Sequence, residues 1–151
     1  MTPNQKAFLH MIAVSEGTEP IGNHGYNAMV GGGTFHDYSH HPGIRVALPR
    51  KGQAPLYSTA AGRYQFLAGT WANLVNTLKL TDFTPSSQDL ACLQLIRECG
   101  ALSDVDAGQI HTAIQKCAHI WASLPGAGYA QHENALTTLI AAYCAAGGVV
   151  A

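Results

Sequence analysis

Charged side chains are scarce in this sequence of 151 residues. Eight lysines and arginines and nine aspartates and glutamates make up 11% of the chain, and the formal net charge is -1. Without a polybasic region, binding to the phosphates of nucleic acid is not expected. Apolar residues account for 47% of the chain. That excludes a disordered protein, because disorder requires low hydrophobicity and high net charge.

Long hydrophobic runs are also missing. The longest apolar runs are far shorter than the ~20 residues needed to cross a bilayer, so we expect no stable membrane insertion. The first 13 residues have neither the apolar segment nor the cleavage site of a signal peptide. We therefore expect the chain to accumulate in the cytoplasm until something else releases it. Its length predicts one domain spanning residues 1–151.

Several motifs of known chemistry are absent. The sequence contains no G-x-S-x-G, no phosphate-binding loop and no H-E-x-x-H. The four cysteines form no C-x-x-C pair, so a zinc knuckle or a thioredoxin-like motif has no support. Because free cysteines are often buried, we expect reduced core thiols rather than disulfides. His36, His40 and His41 lie within six residues, but their segment does not have a helical pattern. Solvated loop histidines are therefore favoured over a metal site, and we predict no metal.

The hydrophobic pattern divides the chain into three stretches. Thr2 and Pro3 predict the start of a helix that ends near Gly17. Residues 18–69 are rich in Gly and Pro and predict a small β lobe, with a hairpin around 31–33 and a strand at 45–48. After Thr70, apolar spacing predicts helices to the end, one capped by a box at 86–89 and one by Asp106. The predicted fold class is α+β and mostly helical.

Glu16 conflicts with the pattern around it. It lies four residues after Ile12 and eight after Phe8, so a carboxyl group ends an apolar helical stripe. Helix capping or turns explain most other carboxylates, including Asp82, Asp89, Asp104 and Asp106. The residues alone leave two interpretations of Glu16 equally open, a partly buried structural group or a catalytic acid.

A series of motifs gives the sequence a family resemblance. They begin with Ser15-Glu16-Gly17-Thr18 and Asn23-His24-Gly25-Tyr26 and continue with Ser58-Thr59 and Ala61-Gly62-Arg63-Tyr64-Gln65. The longest runs from Ile120 to Tyr129 and includes Ser123. In this order and spacing, the chain resembles the phage lambda-type endolysin family from about Lys6 to Gly148.

The resemblance implies a lysozyme-like fold, with a mostly helical lobe and a small β lobe flanking a glycan-binding groove. It implies cleavage of the β-1,4 bond between N-acetylmuramic acid and N-acetylglucosamine in peptidoglycan, without a cofactor. The family's catalytic glutamate falls on Glu16. The implied substrate-binding residues are Tyr26, Ser58, Thr59, Gly62, Arg63, Tyr64, Gln65, Ser123 and Tyr129. It also implies release from the host cytoplasm, as by a separate holin, and action on the cell wall. Because a polymer needs access to the groove, we expect a monomer.

Family members are lytic transglycosylases, which need only one carboxyl group as acid and then base. Three different functions remain open. A hydrolytic muramidase would need a second carboxylate, for which Asp37 is the candidate. A glycan-binding module would have lost catalysis. A metal-dependent amidase would use the histidine loop. On residue chemistry alone, Arg63 could contact glycan or brace the fold through an ion pair, and Tyr129 could simply pack over the preceding turn.

Overall fold

The computed structural model describes residues 1–128 and 133–151. Its helices and strands, in chain order, are α1 (Pro3–Ser15), β1 (Val46–Arg50), β2 (Gln53–Ser58), α2 (Ala68–Leu78), α3 (Pro85–Glu98), α4 (Leu102–Asp106), α5 (Ile110–Cys117) and α6 (Leu136–Ala145). The α+β composition agrees with the prediction. None of the helices in the described ranges is long and apolar enough to span a membrane.

Contacts divide the chain into two compact units. The first comprises Met1–Gly17 and Cys92–Ala151, and the second comprises Thr18–Ala91. The second unit therefore begins where the predicted β lobe begins, and it continues beyond residue 69 through α2 into α3. The single-domain organisation stays a prediction.

Helix α1 forms the centre of the first unit. The Thr2 side chain accepts a hydrogen bond from the Gln5 amide, and the Gln5 side chain accepts one from the Thr2 amide. This capping box satisfies amides that the first helical turn leaves without partners. Phe8 and Ile12 are completely buried, and α1 packs against α6 and α4. Glu16 is the C-terminal cap, and Gly17 follows in the left-handed conformation (φ +69°) that favours glycine. The predicted first helix is confirmed.

The later helices of this unit agree with the predicted apolar faces. The predicted buried face of α5 and the turn after it is confirmed, with Ile110, Ile114, Cys117, Ala118 and Trp121 all buried. Asp106, however, does not cap α5. It ends α4, and its carboxylate accepts hydrogen bonds from Thr2 and Gln5 at the start of α1. The local spacing of Asp106 and Gln109 could not reveal this distant partner.

The second unit combines a small sheet with an aromatic core. Strands β1 and β2 pair antiparallel, with Val46 opposite Ser58 and Leu48 opposite Leu56, which confirms a strand near 45–48. Around 31–33 the chain reverses, with the Met29 amide bonded to the Gly33 carbonyl and an isolated antiparallel bridge between Ala28 and Thr34. The predicted turn is therefore present, but the strands predicted beside it are not. Further along the chain, the Trp71 and Phe83 rings meet edge to face, with their centres 4.5 Å apart.

The start of α3 also differs from the prediction. The helix begins at Pro85, and the hydroxyl of Thr84 accepts from the Ser87 amide at 3.5 Å. Asp82 reinforces this turn by accepting from the Thr84 amide and from the hydroxyls of Thr84 and Ser87. The predicted capping box at 86–89 is therefore wrong, because the cap lies two residues earlier.

Candidate active site

Glu16 lies where α1 ends, and its carboxylate has a defined hydrogen-bond donor. The Ser123 hydroxyl donates to Glu16 Oε1 at 2.5 Å. Burial raises the pKa of Glu16, because an ionised carboxylate loses hydration there, and the Ser123 hydrogen bond partly opposes this effect. The net shift is upward. The sequence conflict at Glu16 thus corresponds to a buried carboxyl group that is easier to protonate than a free glutamate.

A second layer of polar groups supports Ser123. The Ser15 hydroxyl donates to Ser123 Oγ at 2.9 Å. The Asn134 side-chain amide donates to the Ser15 carbonyl at 2.9 Å and to Ser15 Oγ at 3.2 Å. The Asn134 backbone amide donates to the Ser123 carbonyl at 2.9 Å. Sequence reasoning singled out Ser123 only as a glycan contact, and it missed the role of Asn134.

In the second unit, a buried glutamine anchors the loop that contains Gly62, Arg63, Tyr64 and Gln65. Gln88 is fully buried, and its Oε1 accepts from the Arg63 amide at 2.9 Å. Its Nε2 donates to the carbonyls of Tyr26 and Phe83, both at 2.8 Å. Gln65 has a positive φ of 51° and donates its side-chain amide to the Gly62 carbonyl. Polar contacts therefore hold the backbone of this loop at Gly62 and Arg63.

Asp89 joins two of the predicted site tyrosines. The hydroxyls of Tyr26 and Tyr64 donate to Asp89 Oδ1 at 2.9 Å and 2.6 Å. Burial, together with Asp89, raises the pKa of Tyr26 to about 12. The interpretation of Asp89 as a helix cap is therefore wrong. Gln88 precedes buried Ala91, Cys92 and Leu95 at helical spacing, a polar residue on an apolar stripe that sequence reasoning could have noticed.

The predicted glycan-binding residues of the second unit differ in their exposure to solvent. The side chains of Tyr64 and Arg63 are only 1% and 7% exposed. The Arg63 guanidinium donates to the His24 carbonyl and lies over the Tyr26 ring, 5.1 Å from its centre. Ser58, Thr59 and Gln65 are partly exposed. Thr59 Oγ1 accepts from the Ala68 amide at 3.0 Å, at the start of α2. Tyr129 lies outside the described residues.

The histidine loop has local partners of its own. Asp37 is exposed, and hydrogen bonds from Ser39 lower its pKa. His41 Nε2 lies 2.8 Å from the Phe66 carbonyl, and burial lowers the pKa of His41. Within residues 1–128 and 133–151, no group of three or more His, Cys, Asp or Glu side chains could hold a metal ion.

A carboxyl group with a raised pKa can donate a proton to a leaving oxygen, which is the chemistry of glycosidic bond cleavage. The fold agrees with this chemistry, because it is the fold of a lysozyme. The structure matches bacteriophage lambda lysozyme in complex with a chitohexasaccharide, with a TM-score of 0.94 and 49% identity over 100% of this chain and 98% of that one. Another structure of lysozyme from bacteriophage lambda gives a TM-score of 0.90 and 48% identity, with the same coverage. The predicted lysozyme-like α+β fold is confirmed.

The sequence comparisons narrow the class to a family. A family model described as endolysin matches residues 6–150. The endolysin of Escherichia phage lambda is 51% identical over 150 residues, covering 97% of this chain and 92% of the relative. The endolysin of Escherichia phage P2 is 48% identical, covering 98% and 95%. The chain belongs to the lambda-type endolysin family.

Proposed function

We propose that this endolysin cleaves the β-1,4 bond between N-acetylmuramic acid and N-acetylglucosamine in peptidoglycan, with Glu16 as its single catalytic group. The observation that carries the proposal is the raised pKa of Glu16, combined with a hydroxyl donor on its carboxylate. Family membership supports peptidoglycan as the substrate. The chitohexasaccharide bound to the lambda lysozyme neighbour supports recognition of an amino-sugar polymer here.

The reaction uses Glu16 twice. Protonated Glu16 first donates its proton to the glycosidic oxygen, and the bond from that oxygen to muramic C1 breaks. The resulting carboxylate then removes the proton from the C6 hydroxyl of the same muramic residue, and O6 bonds to C1. The product has a 1,6-anhydro end, Glu16 is protonated again, and no water is consumed.

The two phases of this mechanism need opposite protonation states of Glu16. Burial favours the protonated form that begins the reaction, and the Ser123 hydrogen bond favours the carboxylate that follows. A group that acts as acid and as base works best with a pKa near the working pH. The opposing effects of burial and Ser123 support this dual role.

The glycan contacts divide into two groups in this proposal. Ser58, Thr59 and Gln65 are exposed enough to hydrogen-bond sugar hydroxyls or N-acetyl groups. Gly62, Arg63, Tyr64 and Tyr26 shape the loop from within the second unit. Tyr129 is proposed on the family resemblance. The enzyme acts as a monomer on glycan strands of the cell wall, after release from the host cytoplasm, and family membership supports this location.

Mass spectrometry of the fragments from purified peptidoglycan tests the reaction. We expect muramic ends that are lighter by one water, with no new reducing sugars. Reducing ends would contradict the transglycosylase mechanism and favour a hydrolytic muramidase, with Asp37 as the first candidate for a second carboxylate.

Two controls test whether the protein is instead a binding module or a metal-dependent amidase. Glu16→Gln should abolish cleavage while the folded protein still binds peptidoglycan, and an active Glu16→Gln enzyme would overturn the role of Glu16. Folded wild-type protein that binds peptidoglycan without cleaving it would instead indicate a binding module. EDTA should leave the activity unchanged. Loss of activity in EDTA would instead favour a metal-dependent amidase.

A further inference from the structure

We propose that Asn134 and Ser15 are positioning residues that direct a one-way chain of hydrogen bonds onto Glu16. The inference rests on the proposed function of Glu16 and adds two residues that do not touch the carboxylate. The chain runs from the Asn134 amide to the Ser15 hydroxyl, on to the Ser123 hydroxyl, and ends at Glu16 Oε1. All four residues belong to the first unit.

The direction of the chain follows from the number of protons available. A side-chain amide nitrogen can only donate, so Ser15 Oγ must accept from Asn134. Each serine hydroxyl has one proton. The Ser15 proton goes to Ser123 Oγ, and the Ser123 proton is therefore left for Glu16. Without Asn134 and Ser15, the Ser123 hydroxyl would be free to rotate and could accept a proton from Glu16 instead.

The backbone of the same residues is fixed by additional bonds. Asn134 donates from its side chain to the Ser15 carbonyl at 2.9 Å and from its backbone to the Ser123 carbonyl at 2.9 Å. Ser15 is the last residue of α1 and is only 7% exposed. One asparagine thus connects the end of α1 to the segment that contains Ser123. This arrangement holds the distance between the donor and the carboxylate.

The chain has a chemical consequence for the reaction. Hydrogen bonds arranged head to tail polarise one another, so the bond at the end of the chain is strengthened. A stronger donor stabilises the carboxylate form of Glu16, which is the form that must remove the C6 proton. The chain should therefore oppose the effect of burial on Glu16 and keep its pKa from rising further.

The ionisable groups on the elements packed against α1 take no part in the chain, and one of them, Cys144 on α6, is an exposed thiol. On α4, Asp104 pairs with Lys116 at 2.6 Å, and Asp106 accepts from Thr2 and Gln5 at the far end of α1. On α6, Tyr143 donates to the Val149 carbonyl at 3.2 Å. The test therefore changes the chain itself and leaves these charged groups in place.

Ser15→Ala removes a single oxygen atom from the chain and tests the proposal. The pKa of Glu16 is measured by NMR titration of its side-chain carboxyl carbon, and the pH profile of kcat is measured on peptidoglycan. We expect both the titration midpoint and the kinetic pKa of Glu16 to move to higher pH. Because the carboxylate that removes the C6 proton has lost part of its stabilisation, the plateau value of kcat in this profile should fall by about three- to tenfold. An unchanged Glu16 titration in the folded Ser15→Ala protein would overturn the proposal.

Four further variants distinguish an effect of the hydrogen-bond chain from a general loss of stability. Asn134→Ala should raise the pKa of Glu16 in the same direction, and the double variant should add little to Ser15→Ala, because Asn134 acts through Ser15. Ser15→Thr keeps a hydroxyl and should restore the wild-type titration. Ser103→Ala, on the exposed surface of α4, is the matched control. Fully additive shifts would contradict a single chain.

These experiments can also distinguish a failure of the hydrogen-bond chain from a failure of the proposed function. The NMR titration reports on Glu16 whether or not the residue is catalytic. If Glu16→Gln were fully active, the proposed function would fail, while a shifted titration in Ser15→Ala would still establish the chain. If Glu16→Gln were inactive and Ser15→Ala titrated as wild type, the catalytic role would stand and the chain would not.

Discussion

Glu16 is an ionisable residue at a position where its charged form is disfavoured. Burial holds the pKa of Glu16 above that of a free glutamate. The stability that the protonated group contributes is fully present below the unfolded pKa of about 4.3 and is lost as the pH rises through the higher folded pKa. At neutral pH, ionised Glu16 should therefore cost the fold some stability, a trade-off that functional sites often show.

This argument predicts a pH-dependent effect of Glu16→Gln on Tm. The glutamine stays neutral, and its carbonyl oxygen can still accept from Ser123. We expect the variant and the wild type to have similar Tm values near pH 4. The variant should become increasingly more stable as the pH rises toward 8. Glu98→Gln, on the exposed surface of α3, controls for loss of a carboxylate. A Tm difference that does not change with pH would contradict this prediction.

Whole elements were predictable where their signals are local. The bounds of α1 follow from Thr2, Pro3 and Gly17, each within a turn of the helix end. Strand β2 (Gln53–Ser58) has no such signal, because its residues are almost all exposed and show no alternation, and Pro55 disfavours a central strand. The predicted cap of α3 lies two residues too late because Ser86 is by residue type a somewhat better cap than Thr84, which caps the helix in the structure.

The loop of residues 61–66 shows how an element depends on one glycine. Gly62 has a φ of +79°, and a Cβ there would lie 2.4 Å from Gln88 Oε1 and 2.8 Å from Phe83 Cζ. Gly62→Ala therefore combines an unfavourable backbone conformation with overpacking. It should lower the free energy of unfolding by roughly 2–5 kcal/mol, measured by urea denaturation.

Gly100→Ala separates these two causes. Gly100 has a similar φ of +68°, but a Cβ there would meet no heavy atom within 4 Å. This variant should lose only about 1–2 kcal/mol, the cost of the left-handed conformation alone. Equal losses in the two variants would mean that the contact of Gly62 with Gln88 and Phe83 adds nothing.

At the scale of the whole molecule, part of the candidate site can be predicted from neighbouring residues in the sequence, and part depends on residues far apart in the chain. The sequence identifies Glu16 because its conflict with Phe8 and Ile12 is visible within three helical turns. The chain that supports Glu16 is different, since Ser15 lies 108 residues from Ser123 and 119 from Asn134. No periodicity or spacing connects residues so far apart, and a serine or asparagine in a loop is common. Only the packed structure brings these polar groups together.

The four cysteines all lie in the first unit and provide a test of its packing. All four are free thiols, as the sequence predicted, but they are not all core thiols. Cys92 and Cys117 are buried, Cys99 is half-buried and Cys144 is exposed. A hydrogen bond with Cys99 raises the pKa of the Cys117 thiol, and burial raises it further. Because the thiolate is the reactive form, Cys117 should be the least reactive of the four in the folded state.

Reaction with a thiol reagent, followed in time by mass spectrometry of the intact protein and its peptides, should therefore show a fixed order. Cys144 should be modified first because it is exposed. Cys99 should react more slowly because it is half-buried, even though the hydrogen bond with Cys117 lowers its pKa. Cys92 and Cys117 should react only as the molecule unfolds, and their rates should rise together with urea because both lie in the core of the first unit. The Cys144→Ser variant should lose the fast phase and nothing else. Rapid modification of Cys117 without denaturant would show that this core opens independently of global unfolding.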